Sequence, residues 1–231
     1  MQLSSGSSNW KRVLLTVNGD LDNTTLMKNS EIHQHPLPRL FKQVGEGKIE
    51  FMLRHYFKFI FVRHPFVRLV SAYRNKLDDN NSWFEKTYGS MILRYTRRNL
   101  TEKQYRQGKG VTFTEFVHWI LDKNVFNQHW APITTLCHPC VVPYNFVGKM
   151  ETFDDDVKYM LGVLGTKMVF PTNQKRSYNV SSERLMDVYF SKLSKGTISR
   201  LYRRYRNDFE AFDYQLAKKF RPANFADITG G

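Results

Sequence analysis

The most abrupt change of hydrophobic period along the chain lies at residues 57–77. Phe57-Lys58-Phe59-Ile60-Phe61-Val62 is a β-prone run of strand length, and it stops at Arg63-His64-Pro65. From Pro65 the apolar positions fall at Phe66, Leu69, Val70, Tyr73 and Leu77, one face of a helix. Pro65 sits in the first helical turn, where its missing N–H costs nothing. The pattern predicts a strand, a tight turn and a helix, with Arg63 at the joint.

Elsewhere the period is mostly helical. Trp10 to Val17 predicts a short helix stopped by Asn18-Gly19, and Ile49 to Tyr56 predicts another. Further helices are predicted over 83–98, 113–122, 152–164, 182–193 and 195–212, with a short strand from Phe146 to Gly148. Residues 19–45 carry turn residues, two prolines and no sustained period, and predict a long surface loop. With so few strands, the expected architecture is α/β with a small sheet buried among many helices. No segment is rich enough in Pro, Gly or Ser to act as a linker. The expected organisation is a flexible segment 1–8, one domain over 9–215 and a tail over 216–231.

Composition narrows the picture. A chain of 231 residues with 41% hydrophobic residues can bury a full core, which excludes a disordered or coiled-coil protein. No apolar stretch approaches the ~20 residues of a membrane span, and no apolar region follows Met1 as a signal peptide would require. The expectation is therefore a soluble chain as it stands. Charge points to a class of partner: 35 Lys and Arg against 21 Asp and Glu give +14. An anionic partner follows, whether nucleic acid, lipid surface, phosphorylated nucleotide or acidic polysaccharide. No helix-turn-helix, zinc finger or RNA-binding aromatic motif is present, so nucleic acid is not expected.

Cys137 and Cys140, in Cys-His-Pro-Cys, are the only cysteines. One such pair is half of a four-cysteine zinc site, so no metal is expected. A local disulfide, a plain structural role and free thiols all remain open. Asn-x-Ser/Thr sequons occur at Asn23, Asn80, Asn99 and Asn179, which permits a secretory-pathway location.

The predicted joint has a chemistry of its own. A buried strand feeding a helix leaves free N–H groups at the helix N-terminus, where the dipole favours an anion. Arg63 adds a guanidinium fork suited to phosphate. Ser71, about two helical turns later, adds a hydroxyl, and Arg68, Arg74 and Lys76 add positive field. The bland alternative pairs Arg63 with a carboxylate and leaves the other charges on a solvated face.

Phe57 to Leu77 resembles the 3′-phosphate-binding motif of the Golgi carbohydrate sulfotransferases, nearest the chondroitin and dermatan 4-O-sulfotransferases. Asn9-Trp10-Lys11-Arg12-Val13-Leu14 resembles the end of their 5′-phosphosulfate loop and the helix after it. Leu136-Cys137-His138-Pro139-Cys140, Tyr144 and Val147-Gly148-Lys149-Met150-Glu151-Thr152 resemble a later block. Leu201-Tyr202 through Asp208-Phe209, with Phe212-Asp213-Tyr214, resembles the C-terminal end. The resemblance runs in order from about residue 9 to 215.

It implies a sulfotransferase fold related to P-loop kinases, with a small parallel sheet flanked by many helices. It implies 3′-phosphoadenosine 5′-phosphosulfate as donor and a sugar hydroxyl as acceptor. N-acetylgalactosamine O-4 in chondroitin or dermatan, an anionic glycosaminoglycan, is the type of acceptor expected, and the Golgi the expected compartment. By carry-over, Arg63 and Ser71 hold the 3′-phosphate, and Ser4, Ser5, Gly6, Ser7, Ser8 and Asn9 form the 5′ loop. A histidine suits the role of base near neutral pH. His33 falls in the region where the family carries one, and His129 is the second candidate. Trp130 beside His129 offers an aromatic face for a sugar ring.

Two departures matter. Ser4 stands where the family has the Lys that contacts the bridging and sulfuryl oxygens, and losing such a donor typically costs ~10²–10³ in rate. The residues ahead of it are too few for the strand that the family places before the loop, so a missing first strand is expected. A catalytically impaired, N-terminally truncated homologue or a polyanion-binding module is thus the expected alternative to an active transferase. The smaller departure is His64, where the family has an acid. Neutral His is expected to cap the helix less well, so His64→Asp would add roughly 0.5–1 kcal/mol.

Overall fold

A computed structural model describes residues 7–22, 28–35, 44–171 and 182–221. In chain order the helices and strands are α1 (Ser7–Val17), α2 (Asn29–Gln34), α3 (Glu46–His55), β1 (Phe59–Val62), α4 (Pro65–Tyr73), α5 (Ser82–Phe84), α6 (Ser90–Thr96), α7 (Glu102–Gln107), α8 (Phe113–Asp122), α9 (Ile133–Cys137), β2 (Phe146–Lys149), α10 (Phe153–Val163), α11 (Ser182–Phe190) and α12 (Lys195–Ala211). Two π-helical segments, Arg74–Asp78 and Glu85–Gly89, extend α4 and join α5 to α6. The architecture is helix-rich α/β, as the pattern predicts. Among the described residues no helix is long and apolar enough to cross a membrane.

The chain divides into two compact units. One comprises Met1–Arg63 with Leu136–Ser177, the other His64–Thr135 with Tyr178–Gly231.

The first unit holds the sheet. β1 and β2 pair in parallel, with Phe59 opposite Phe146 and Val62 opposite Lys149. Phe61 faces Gly148, where a Cβ would meet the Phe61 ring at 2.5 Å. Only glycine lets that ring lie across the neighbouring strand, which explains a glycine inside a strand. Phe61 packs with Trp10 from α1 and with Phe153, Val157 and Met160 from α10. Trp10 is wedged between Phe59, Phe61 and Phe170, each ring about 5 Å away. The Asp156 carboxylate accepts from the Lys149 backbone N–H at 2.7 Å and from the Thr152 hydroxyl at 2.7 Å, tying α10 to the end of β2.

The second unit is helical. α4 is buried all round, from Pro65 through Val70 and again at Ala72 and Tyr73, rather than on one face. It packs with α8, α11 and α12 around Phe66, Phe116, Phe190, Leu201 and Tyr205. α8 is started by Thr112, whose hydroxyl accepts from Glu115 N–H, while Glu115 reaches back to Thr112 N–H at 2.8 Å. Arg97 grips the same Glu115 with two nitrogens, at 2.6 and 2.8 Å. Burial opposes the charge on Glu115, but the Arg97 fork and the Thr112 donors overcome it and hold the pKa at about 2. Gly89 and Gly108 meet backbone to backbone: a Cβ on Gly89 would lie 2.1 Å from the Gly108 carbonyl oxygen. Gly108, at φ 65°, also ends α7 in the left-handed conformation.

The segment 19–45, expected to be loop, contains α2, and Ile32 on it is fully buried. α7 and α9 are likewise helices that the pattern missed; each has six residues or fewer.

Candidate functional site

β1 ends at Val62, which is fully buried, and Arg63 follows it half-buried. His64 caps α4 from outside: its Nδ1 accepts from Phe66 N–H at 3.2 Å. That assignment leaves Nε2 as the protonated nitrogen, 3.3 Å from the Gln215 carbonyl. The ring also stands edge-on to Phe209 and Tyr214, at 5.2 and 5.5 Å. His64 is therefore an effective cap with further anchors, not the weak cap expected from its chemistry alone.

At the start of α1, Ser8 is half-buried and Asn9 buried. Asn9 Oδ1 accepts from Arg12 Nη1 at 2.8 Å, and Arg12 is itself buried. Burial lowers the pKa of the neighbouring Lys11. Ser4, Ser5 and Gly6 lie outside the described residues, as does the side chain of Ser7. His33 falls within α2, but its side chain also lies outside the described residues.

His129 sits in a loop that the second unit clamps from several sides. Arg68, 1% exposed, donates Nη1 to the Ala131 carbonyl at 2.7 Å and Nη2 to the Gln128 carbonyl at 3.0 Å. The Tyr205 hydroxyl donates to the Trp130 carbonyl. Asp208, also 1% exposed, accepts from Ile133 N–H at 2.7 Å and from the N–H and hydroxyl of Thr134, both at 2.8 Å. Burial raises the Asp208 pKa, and those donors oppose the rise. Within the loop, Asn127 Oδ1 accepts from His129 N–H at 2.9 Å.

The held imidazole lies edge-on to Phe84, 5.3 Å between ring centres. Burial, then the Lys76 and Arg68 charges, lower its pKa to about 4. At neutral pH His129 is uncharged and offers one donor and one acceptor.

Arg68 is buried and donates to two carbonyls inside the second unit, and it keeps its positive charge there. One expectation is corrected here. Trp130 offers no face to a sugar, because it is 1% exposed and its indole N–H is bonded to the Val125 carbonyl at 3.2 Å. The residues that the pattern missed are Arg68 and Asp208 as loop anchors. Each follows or precedes an aromatic-rich buried run, but nothing local marks its partner.

No disulfide joins Cys137 and Cys140, so of the readings left open that one is not formed. Among the described residues no group of three or more His, Cys, Asp or Glu side chains could hold a metal ion.

The comparison with known proteins decides the family. The family described as "Sulfotransferase family" matches residues 4–215. The chain belongs to the sulfotransferase family. Among curated proteins it is similar to carbohydrate sulfotransferase 11 of Rattus norvegicus, 36% identical over 90% of this chain and 62% of that protein. Carbohydrate sulfotransferase 14 of Danio rerio is 37% identical over 90% of this chain and 57% of that protein. Carbohydrate sulfotransferase 8 of Homo sapiens is 34% identical over 97% of this chain and 53% of that protein. The chain thus spans less than two thirds of these sulfotransferases' own length. No solved structure matches it.

For this sulfotransferase-family chain the predicted site residues divide between the units. Ser8, Asn9 and Arg63 belong to the first, and Ser71, half-buried on α4, and His129 belong to the second.

Proposed function

We propose that this protein is a carbohydrate sulfotransferase. It transfers the sulfuryl group of 3′-phosphoadenosine 5′-phosphosulfate to a sugar hydroxyl, taken to be N-acetylgalactosamine O-4 of chondroitin or dermatan, in the Golgi lumen. The observation that carries the reading is the strand–turn–helix at 59–73, with Arg63 between a buried strand and a capped, proline-started helix, inside a chain that the family matches almost end to end.

In this reading Arg63 and Ser71 hold the 3′-phosphate. Ser4, Ser5, Gly6, Ser7, Ser8 and Asn9 surround the 5′-phosphosulfate with hydroxyls and backbone N–H groups. The sugar oxygen attacks sulfur in line with the donor's bridging oxygen. One S–O bond forms as the other breaks, and the products are a sugar sulfate ester and adenosine 3′,5′-bisphosphate. Such transfers depend chiefly on positioning and on charge stabilisation at the leaving oxygens. His33 takes the hydroxyl proton. His129, with a pKa of about 4, is a poor proton acceptor at pH 7, and serves as a neutral hydrogen-bonding partner for the acceptor. The +14 balance suits both a polyanionic nucleotide and a polyanionic glycan.

Ser4 favours a second reading, a homologue that binds both ligands without fast transfer. Two measurements separate the readings. Calorimetry should give saturable binding of adenosine 3′,5′-bisphosphate that Arg63→Ala weakens by at least about tenfold, the scale of a charge-assisted phosphate contact. Transfer to desulfated chondroitin should rise in Ser4→Lys. Salt-sensitive binding to any polyanion, indifferent to Arg63, would overturn the assignment.

A further inference from the structure

Trp83 is 60% exposed, whereas Trp10, Trp119 and Trp130 are 2%, 4% and 1% exposed. A lone exposed aromatic needs no special reason. What sets this one apart is its position on a short aromatic series. Trp83 stands edge-on to Phe84 at 4.9 Å and to Tyr88 at 6.0 Å. Phe84 is buried, stacks on Tyr88 at 5.5 Å, and meets the His129 ring at 5.3 Å. The Lys76 ammonium lies 4.8 Å from the Phe84 ring centre. Asn127 Nδ2, from the residue that fixes the His129 backbone, donates to the Tyr88 hydroxyl at 2.9 Å.

The exposed end of this series is therefore an indole, and its inner end carries an imidazole and a cation. The backbone beneath is fixed. Asn81 Oδ1 accepts from Phe84 N–H, which starts α5 and sets the direction of Trp83. Residues 85–89 then pass within van der Waals distance of Gly108, where no side chain fits.

We propose that Trp83 is the platform on which a pyranose ring of the acceptor glycan stacks, with Lys76 answering an anionic substituent of the same glycan. This deepens the sulfotransferase reading and rests on it. Three features select a charged sugar as the occupant. A pyranose presents a face of C–H groups that suits the negative face of an aromatic ring. Its hydroxyls suit a neutral imidazole. Its carboxylate or sulfate suits an ammonium held over an aromatic ring. A purely apolar partner would leave Lys76 and His129 unused, and a second copy of this basic chain would bring cation to cation.

The arrangement supplies its own probe. Trp83 is the one well-exposed tryptophan, so an aqueous quencher such as acrylamide reports on it almost alone. Desulfated chondroitin oligosaccharide should protect the quenchable emission. Trp83→Ala should remove that emission and weaken oligosaccharide affinity by about tenfold, the loss expected for truncating an aromatic anchor. Adenosine 3′,5′-bisphosphate affinity should not change, and Trp83→Tyr should keep most of the glycan affinity. In transfer assays Trp83→Ala should raise KM for glycan and leave KM for donor unchanged.

The platform is overturned if bound oligosaccharide leaves the indole fully quenchable, or if Trp83→Ala binds glycan as the parent does. It is also overturned if the parent binds nucleotide but no glycan, or if raising the protein concentration alone protects the indole. In each of these cases intact nucleotide binding leaves the sulfotransferase reading standing. A parent protein that binds no adenosine 3′,5′-bisphosphate sinks that reading, and the platform with it.

Discussion

Imidazole in water titrates near pH 6.5, but His129 is half-buried against Phe84 with Lys76 and Arg68 nearby, and its pKa falls to about 4. The folded state therefore disfavours the protonated ring. Above pH 6.5 both folded and unfolded chains carry neutral His129. As pH falls from 6.5 towards 4 the unfolded chain gains a proton that the folded chain refuses, so stability drops across that window. The unscreened shift corresponds to about 3 kcal/mol, which partial exposure reduces to about 1–2 kcal/mol. Denaturant unfolding of His129→Gln should be flatter between pH 6.5 and 4 than that of the parent by this amount. Parallel curves would show that the ring is not desolvated. Glu115, ordinarily 4.5 and held at about 2, also loses stability as pH falls below about 4.5, but it does so equally in parent and variant, so the difference between them reports His129.

Elements in this protein start and stop through side chains that do more than one task, and α4 is the clearest instance. From chemistry alone an acid at position 64 caps a helix better than histidine. The folded ring, however, accepts from Phe66 N–H, faces the Gln215 carbonyl, and packs edge-on to Phe209 and Tyr214. Asp keeps the cap but gives up the ring contacts and sets a carboxylate opposite a carbonyl oxygen. His64→Asp should therefore lower stability by about 1 kcal/mol, not raise it; a higher melting temperature would show that capping outweighs the ring. Long periodic elements such as α8 and α12 were legible in the sequence because their apolar stripes repeat over several turns. α2, α7 and α9 were not, since a helix of five or six residues has too few turns to display a period.

Across the whole molecule, the loop bearing His129 is held by residues about 60 to 75 positions away in the chain. Arg68→Met would strand the Gln128 and Ala131 carbonyls in the interior. It should cost about 2–4 kcal/mol, with Arg68→Lys intermediate because an ammonium lacks the planar fork. Equilibrium unfolding measures this, and a loss below about 0.5 kcal/mol, the level of an ordinary surface change, would mean that the carbonyls find other donors. The family blocks, the strand–turn–helix at 59–73 and the cationic balance could all be read from the sequence by itself. They depend on local period, local motif and simple counting, none of which needs a partner. The roles of Arg68, Trp130 and Trp83 could not. Arg68 lies off the apolar stripe of its helix, yet it is buried because a distant loop closes over it. Trp130 looks like a sugar platform beside a histidine, yet it faces the core, while Trp83, unremarkable in sequence, is left in water. Burial is a property of what packs against a residue, and those neighbours come together only when distant segments fold onto one another.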